Sequence, residues 1–161
     1  PILVITQTIP TVAIAPLLVL WFGYEMTPKI ILIILVTFFP VTVGLLDGFR
    51  AVDPDAVGLL RSMGAGRWQI FRYLKCPSAL PHFFSGVRIA AAYSVVGAVI
   101  SEWLGGSGGL GVYMTRVKKA YAFDKMFAVI ILISVISLAL MALVELAERG
   151  CMPYRHLLEK S

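Results

Sequence analysis

Three long apolar runs constrain this chain more than any other feature of its sequence. They cover residues 29–46, 82–104 and 125–147, and each is long enough, at about 1.5 Å per residue, to cross a hydrocarbon core about 30 Å thick. Charged residues make up only 14% of the 161 residues, whereas a soluble domain carries about 25%. Because backbone groups in lipid must be paired within the chain, runs of this length favour helices. The sequence therefore predicts an all-α integral membrane protein.

A fourth apolar segment, residues 2–23, is interrupted by Pro10 and Pro16. A proline inside a helix removes one hydrogen bond, and in lipid the freed carbonyl must be satisfied by a neighbouring helix or by water. Two interpretations stay open for this span. It is either a simply kinked helix, or it lines a substrate path with Gln7 and Thr11 facing that path.

The polar stretch between the runs 29–46 and 82–104, residues 53–77, is predicted to form two short amphipathic helices joined by a glycine hinge. Asp53 is a good N-cap, and Pro54 suits the first helical position. Gly64 is expected to stop the first helix, since glycine tolerates the left-handed conformation common there, and Pro77 is expected to end the second. A bent helix pair with an apolar and a basic side, set between spans, favours a docking element for a soluble partner.

Small residues recur every four positions in the span 82–104, at Gly86, Ala90, Ser94 and Ala98. Small residues at this spacing let two helices approach closely in lipid. We therefore expect a packing stripe, either inside the subunit or across a dimer. Arg88, near the start of the same span, is expected to snorkel to the interface.

Glu102 lies near the far end of that span, and a carboxylate at membrane depth is a functional candidate. It either contributes to a substrate path together with Ser94, or it caps local backbone or pairs with Arg116. The glycine-rich run that follows, residues 105–111, lacks the G-x-x-x-x-G-K-[ST] pattern of a phosphate loop. We predict a flexible hairpin at the outer face, followed by a helical stretch that contains Tyr113 and Arg116, within an external loop, residues 105–124.

The remaining charges and cysteines exclude several function classes. Cys76 and Cys151 are the only cysteines and there are two histidines, so we expect no disulfide, metal site or catalytic centre. The net charge of +5 fits basic loops near anionic lipid better than nucleic-acid binding. Basic residues flank the spans on both sides, so charge alone does not decide the orientation. The docking interpretation places residues 53–77 and the tail, residues 148–161, in the cytoplasm.

The docking stretch resembles the cytoplasmic signature of bacterial binding-protein-dependent ABC importer permeases, written E-A-A-x-x-x-G, nine residues, then I-x-L-P. Gly64 matches its glycine, Leu74 its isoleucine and Pro77 its proline. The E-A-A triplet falls on residues 58–60, which read Gly-Leu-Leu, and the final leucine is Cys76, so a carboxylate that could contact the ATPase is missing. The segments PLLVLWFG, GLLDGFRAVDPD, RWQIFR, SGVRIA and EWLGGSGGLG look like the nitrate, sulfonate, taurine and thiamine-precursor branch.

The resemblance implies a type I ABC importer permease-like helical bundle with six spans. Four are present, and the first two would lie before Pro1, in an N-terminally truncated chain. The family implies a multi-pass protein of the bacterial inner membrane that pairs as a homo- or heterodimer. The dimer sits on two ABC ATPase subunits, through which ATP acts without a directly bound cofactor, and an extracytoplasmic solute-binding protein delivers the solute.

The implied mechanism is alternating access, in which the helix pair carries closure of the ATPases into the spans. The solute would be small and polar, of the thiamine pyrimidine precursor, sulfonate, taurine or nitrate class. Arg61, Arg67 and Arg72 would meet acidic groups on the ATPase, or would only be a positive-inside flank. The residues expected to couple to the ATPase are Asp55, Leu59, Leu60, Gly64, Ala65, Arg67, Trp68, Phe71, Leu74 and Pro77.

Two other functions are alternatives to the importer. A membrane enzyme would need clustered nucleophiles, bases or metal ligands at membrane depth, and the sequence shows no such cluster. An ion channel or passive scaffold would not need the glycine-hinged helix pair, and its activity would not depend on a nucleotide.

Overall fold

The computed structural model describes residues 10–152, and that part of the chain is helical without strands. We label six helices: α1 Thr11–Phe22, α2 Met26–Arg50, α3 Pro54–Ser62, α4 Arg67–Gly105, α5 Leu110–Lys119 and α6 Phe123–Cys151. Helices α2, α4 and α6 are long and apolar enough to cross a membrane, whereas α1 is apolar but shorter. The predicted all-α membrane fold is confirmed.

The three long helices contain the apolar runs found in the sequence. Residues 29–46 lie within α2, residues 82–104 within α4 and residues 125–147 within α6. The first part of the span 2–23, including Gln7, lies outside the described residues, and so does most of the tail.

Helix α4 does not end where the sequence predicts. The prediction that Pro77 ends the second short helix is wrong, since one continuous helix runs from Arg67 to Gly105 and contains both Pro77 and Pro81. A five-residue π-helical segment, Phe71–Lys75, precedes the first of these prolines. Each proline removes only one N–H, whereas a break in the helix would free several backbone groups beside an apolar span.

The chain divides into two compact units, and their boundaries cut across the long helices. Unit 1 comprises Pro1–Phe39 and Ala90–Ala142, and unit 2 comprises Pro40–Ile89 and Leu143–Ser161. In unit 1, Ala15, Leu18 and Leu32 form a buried cluster that joins α1 to α2, with side chains of α4 packed against it. Apolar contacts therefore fix the short helix α1 to its neighbours.

In unit 2, glycines bring α2 and α4 into backbone contact. A methyl group placed on Gly44 would lie 2.6 Å from the carbonyl oxygen of His82, and one on Gly86 would lie 2.5 Å from that of Pro40. At Gly48 the nearest atom would be Cα of Ala79, at 2.8 Å. These distances leave no room for a side chain, which is the close approach that small residues permit between helices in lipid. For Gly86, the predicted packing stripe therefore acts inside the subunit.

An ion pair also joins two helices of unit 2. The guanidinium of Arg88 on α4 donates to the carboxylate of Glu148 on α6. The Glu148 side chain is 3% exposed and that of Arg88 is 34% exposed. The charge of Arg88 is therefore paired with a buried carboxylate sixty residues away in the chain, and snorkelling of Arg88 to the interface stays a prediction.

Candidate functional site

The docking hairpin, which we define as residues 53–75, begins with a well-formed helix cap. The backbone N–H of Asp55 donates to Oδ1 of Asp53 over 2.9 Å, and Pro54 occupies the first position of α3. The side chain of Asp55 lies in the first turn, where a negative charge is stabilised by the helix dipole. The predicted N-cap is confirmed.

The turn between α3 and α4 is closed by two backbone hydrogen bonds around Gly64. The N–H of Gly64 donates to the carbonyl of Arg61, and the N–H of Ala65 donates to that of Leu60, each over 2.9 Å. This pattern is the Schellman motif, which requires a left-handed residue at its corner. Gly64 has a φ of +84°, so the glycine hinge predicted from the sequence is confirmed.

The second half of the hairpin is positioned by its own cap and by stacked aromatic rings. The N–H of Gly66 donates to Oε1 of Gln69 over 2.7 Å. This bond gives a partner to a backbone N–H at the start of α4 that has none within the helix. The ring of Trp68 stacks on Phe71, with centroids 5.8 Å apart, and Phe71 also contacts Phe49 at the end of α2 at the same distance. These rings tie the start of α4 to the end of α2.

The hairpin exposes large apolar side chains that a soluble surface would not favour. Leu59 is 63% exposed, Met63 74% and Trp68 69%. A groove of about 280 Å³ separates the two helices of the hairpin. Its lining comprises Leu60, Met63, Gly64, Ala65, Gln69 and Tyr73. A contiguous apolar face with a groove is typical of a protein interaction site.

The basic side chains of the hairpin are also exposed. Arg61, Arg67 and Arg72 all reach solvent, and none of them takes part in the ion pairs found within residues 10–152. An exposed apolar face flanked by unpaired cations can dock on a partner that offers an apolar socket rimmed by carboxylates.

The hairpin brings together most of the residues predicted to couple to a partner. The ten residues predicted to couple to the ATPase, which lie between Asp55 and Pro77, all belong to unit 2. Leu60, Ala65, Leu74 and Pro77 are half-buried, whereas the other six are exposed. Leu74 and Pro77 are part of the continuous helix α4, which joins the hairpin to an apolar run.

The residues predicted for a substrate path are brought together only in part. Ser94 and Glu102 line one groove of about 330 Å³ in unit 1, together with apolar side chains of α2, α4, α5 and α6. Gln7 and the side chain of Thr11 lie outside the part of the chain that the structure describes. The hydroxyl of Ser94 donates to the carbonyl of Ala91 over 2.7 Å, so it is satisfied within its own helix.

Glu102 holds the first turn of α5 in place. Its Oε2 accepts the backbone N–H of Gly111 over 2.6 Å, at a helix N-terminus where a carboxylate is favoured. A methyl group on Gly109 would lie 2.1 Å from Oε1 of Glu102, and one on Gly111 would lie 2.7 Å from the carbonyl of Val99. Glycines at positions 109 and 111 are therefore needed for the chain to pass this close to Glu102. Capping of the local backbone is one of the roles that the sequence left open for Glu102.

Sequence reasoning missed two features of these sites. It did not identify the Arg88–Glu148 pair. The only signal for this pair in the sequence was the presence of a basic and an acidic residue in separate apolar helices. It also missed the role of Gly44 and Gly48, whose four-residue spacing in α2 mirrors the small residues of α4.

Comparison with known proteins decides the family. Residues 1–151 match the protein family described as "binding-protein-dependent transport system inner membrane component". The chain belongs to this family. It is an integral membrane protein of the ABC transporter permease class, as the resemblance of the docking stretch indicated.

Several relatives of this permease family have a described substrate. The chain is 39% identical over 155 residues to the formylaminopyrimidine transport permease of Halalkalibacterium halodurans. The aligned region covers 96% of the chain and 62% of that relative. It is 36% identical over 149 residues to the riboflavin transport permease of Chloroflexus aurantiacus, and the aligned region covers 92% of the chain and 56% of that relative. The taurine transport permease of Escherichia coli is 31% identical over 154 residues, covering 96% and 56%. The chain thus spans about three fifths of the length of these permeases.

Proposed function

We propose that this chain belongs to the membrane-spanning subunit of an ATP-driven ABC importer of the bacterial inner membrane. The subunit moves a small polar solute, delivered by an extracytoplasmic binding protein, into the cytoplasm. The observation that carries this proposal is the docking hairpin, whose glycine-hinged turn presents exposed Leu59, Met63 and Trp68. A channel or a passive scaffold has no use for such a surface.

The hairpin is suited to mechanical coupling because one helix joins it to a span. Helix α4 continues from Arg67 into its apolar run, and we propose that a displacement at Trp68 is transmitted along it. Burial of each large apolar side chain in a socket on the ATPase would contribute about 1.5–3 kcal/mol. Dimerisation of the permease and binding of ATPase subunits on the cytoplasmic side complete the proposed assembly.

The solute class rests on the relatives. Those quoted above are described for formylaminopyrimidine, riboflavin and taurine, and all three solutes are small and polar. We propose that the present permease takes a solute of the same general kind, of the thiamine pyrimidine precursor, sulfonate, taurine or nitrate class.

Co-purification of the full-length permease with a candidate ABC ATPase subunit tests the partner, with Gly64→Glu as the variant. Among the described residues, apart from the chain neighbours of Gly64, no heavy atom lies within 4 Å of a Cβ placed on Gly64. The substitution therefore acts by straining the φ of +84° and by adding a charge at the groove. A non-glycine residue in this conformation costs about 1–2 kcal/mol, and we expect at least a severalfold loss of bound ATPase.

Gly58→Ala is the matched control. Gly58 lies inside α3 with no atom within 4 Å of the added methyl group, and alanine is favoured over glycine in a helix by about 0.5–1 kcal/mol. The control is expected to retain the ATPase. If the wild-type permease binds no ATPase, and solute uptake into vesicles proceeds equally without ATP, the importer proposal fails in favour of a channel.

A further inference from the structure

The junction between α5 and α6 carries a concentrated positive charge that the proposed transport mechanism does not use. We define the basic–aromatic turn as Arg116, Lys118, Lys119, Tyr121, Phe123 and Lys125. All six side chains are exposed, and all belong to unit 1. Asp124 is the only acidic residue between positions 110 and 130.

These cations have no partner that would explain them within residues 10–152. None takes part in the ion pairs of that region. They are not needed to cap α5 either, because the carbonyls of Arg116, Val117 and Lys118 already accept the N–H groups of Ala120, Ala122 and Tyr121. Their charge is therefore available to a ligand outside the chain.

Tyr121 is held in a conformation that disfavours any side chain. Its φ is +54°, the one positive value at a non-glycine residue among those described, and its side chain is 79% exposed. Glycine would close the same turn without strain. The ring also meets Phe123 edge-on, with centroids 6.5 Å apart, so the turn presents two aromatic rings beside the cations. Strain of this kind points to a role for the side chain.

The position of the turn identifies the chemistry that it meets. Phe123 is the first residue of α6, an apolar helix long enough to cross a membrane, so the turn lies at the boundary between hydrocarbon and headgroups. Tyrosine is enriched at that boundary, and clustered lysines and arginines there attract anionic lipids. The N-terminus of α5 is fixed by Glu102 and its middle by the buried Val117, so the basic end of α5 is presented on a rigid support.

We propose that the basic–aromatic turn binds the phosphate headgroup of an anionic phospholipid. The four cations and two aromatic rings lie at the start of an apolar helix, where anionic headgroups and acyl chains are both within reach. Tyr121 and Phe123 would pack on the acyl-chain side of the headgroup while the lysines contact the phosphate.

Native mass spectrometry of the full-length permease tests the proposal, with a mixture of phosphatidylglycerol and phosphatidylcholine as the probe. We expect the wild-type permease to retain phosphatidylglycerol preferentially. The triple variant Lys118→Gln, Lys119→Gln and Lys125→Gln should lose that preference by about tenfold, since each cation near the surface contributes separately.

Two further variants keep the test decisive. Replacement of the same three lysines by arginine preserves the charge and should preserve the preference, and Lys118→Gln alone should give an intermediate loss even if the triple variant folds poorly. Equal retention of both lipids by the wild type, or an unchanged preference in the glutamine triple variant, would overturn the proposal.

The second readout separates a lipid from a protein ligand. The binding protein's stimulation of ATP hydrolysis is measured in vesicles of phosphatidylcholine alone. A glutamine triple variant that loses this stimulation, yet retains phosphatidylglycerol like the wild type, would assign the turn to an acidic face of the binding protein and refute lipid binding.

Discussion

Glu102 and Glu148 are carboxylates in helices that are long enough to span a membrane, and each has a specific partner. Glu102 accepts a backbone N–H at the start of α5, and Glu148 accepts the guanidinium of Arg88. A carboxylate at membrane depth is costly unless it is paired. Both residues therefore stabilise helix packing, and their removal has a measurable consequence.

Substitution of Glu102 separates its hydrogen bond from its charge. Glu102→Gln keeps an oxygen that can accept the N–H of Gly111 and loses only the charge at the helix N-terminus, at about 0.3–1 kcal/mol. Glu102→Ala also removes a hydrogen bond to a charged group, at about 1.5–3 kcal/mol. Thermal unfolding of the purified permease should rank wild type, glutamine and alanine in descending Tm. An alanine variant as stable as the wild type would show that the cap does not hold α5.

The Arg88–Glu148 pair is expected to behave as one unit. Arg88→Met alone leaves the Glu148 charge buried without its guanidinium and should destabilise the permease by about 3 kcal/mol. The double variant Arg88→Met with Glu148→Leu removes both charges and should recover most of that loss. The Tm values of both single variants and the double variant give the coupling energy. Strictly additive effects would contradict a direct interaction.

At the scale of elements, the contact between α2 and α4 depends on glycines. Gly86→Ala would place a methyl group 2.5 Å from the carbonyl oxygen of Pro40, and this backbone oxygen cannot rotate away. The helices must separate, at about 1–3 kcal/mol. Thermal unfolding measures the cost. Gly150→Ala is the matched control, because no tertiary neighbour among residues 10–152 lies within 4 Å of a Cβ placed there. Equal Tm values for the two variants would show that α2 and α4 tolerate separation.

The elements also show why sequence reasoning placed one boundary wrongly. Pro77 carries a strong local signal for a helix end, but the apolar run that follows favours a continuous helix over free backbone groups. The π-helical segment Phe71–Lys75 has no sequence signal of its own. Local chemistry predicted the caps at Asp53 and Gly64, since those interactions span at most five residues.

At the scale of the whole molecule, the sequence predicted the membrane class and the family but not the long-range contacts. Apolar runs and the docking stretch are contiguous in sequence, so they can be recognised without a structure. The Arg88–Glu148 pair joins residues sixty positions apart, and the groove containing Ser94 and Glu102 draws on four helices. Only the fold could bring those residues together.

Under the proposed function, transport depends on the hairpin transmitting ATPase closure to α4. The most direct measurement is the ATP hydrolysis rate of the reconstituted full-length permease–ATPase complex, with and without solute-loaded binding protein. The wild-type complex and the Gly58→Ala control should be stimulated, whereas any Gly64→Glu complex that assembles should stay at its basal rate, because the strained turn no longer seats the hairpin. Full stimulation of the Gly64→Glu complex would contradict coupling through residues 53–75.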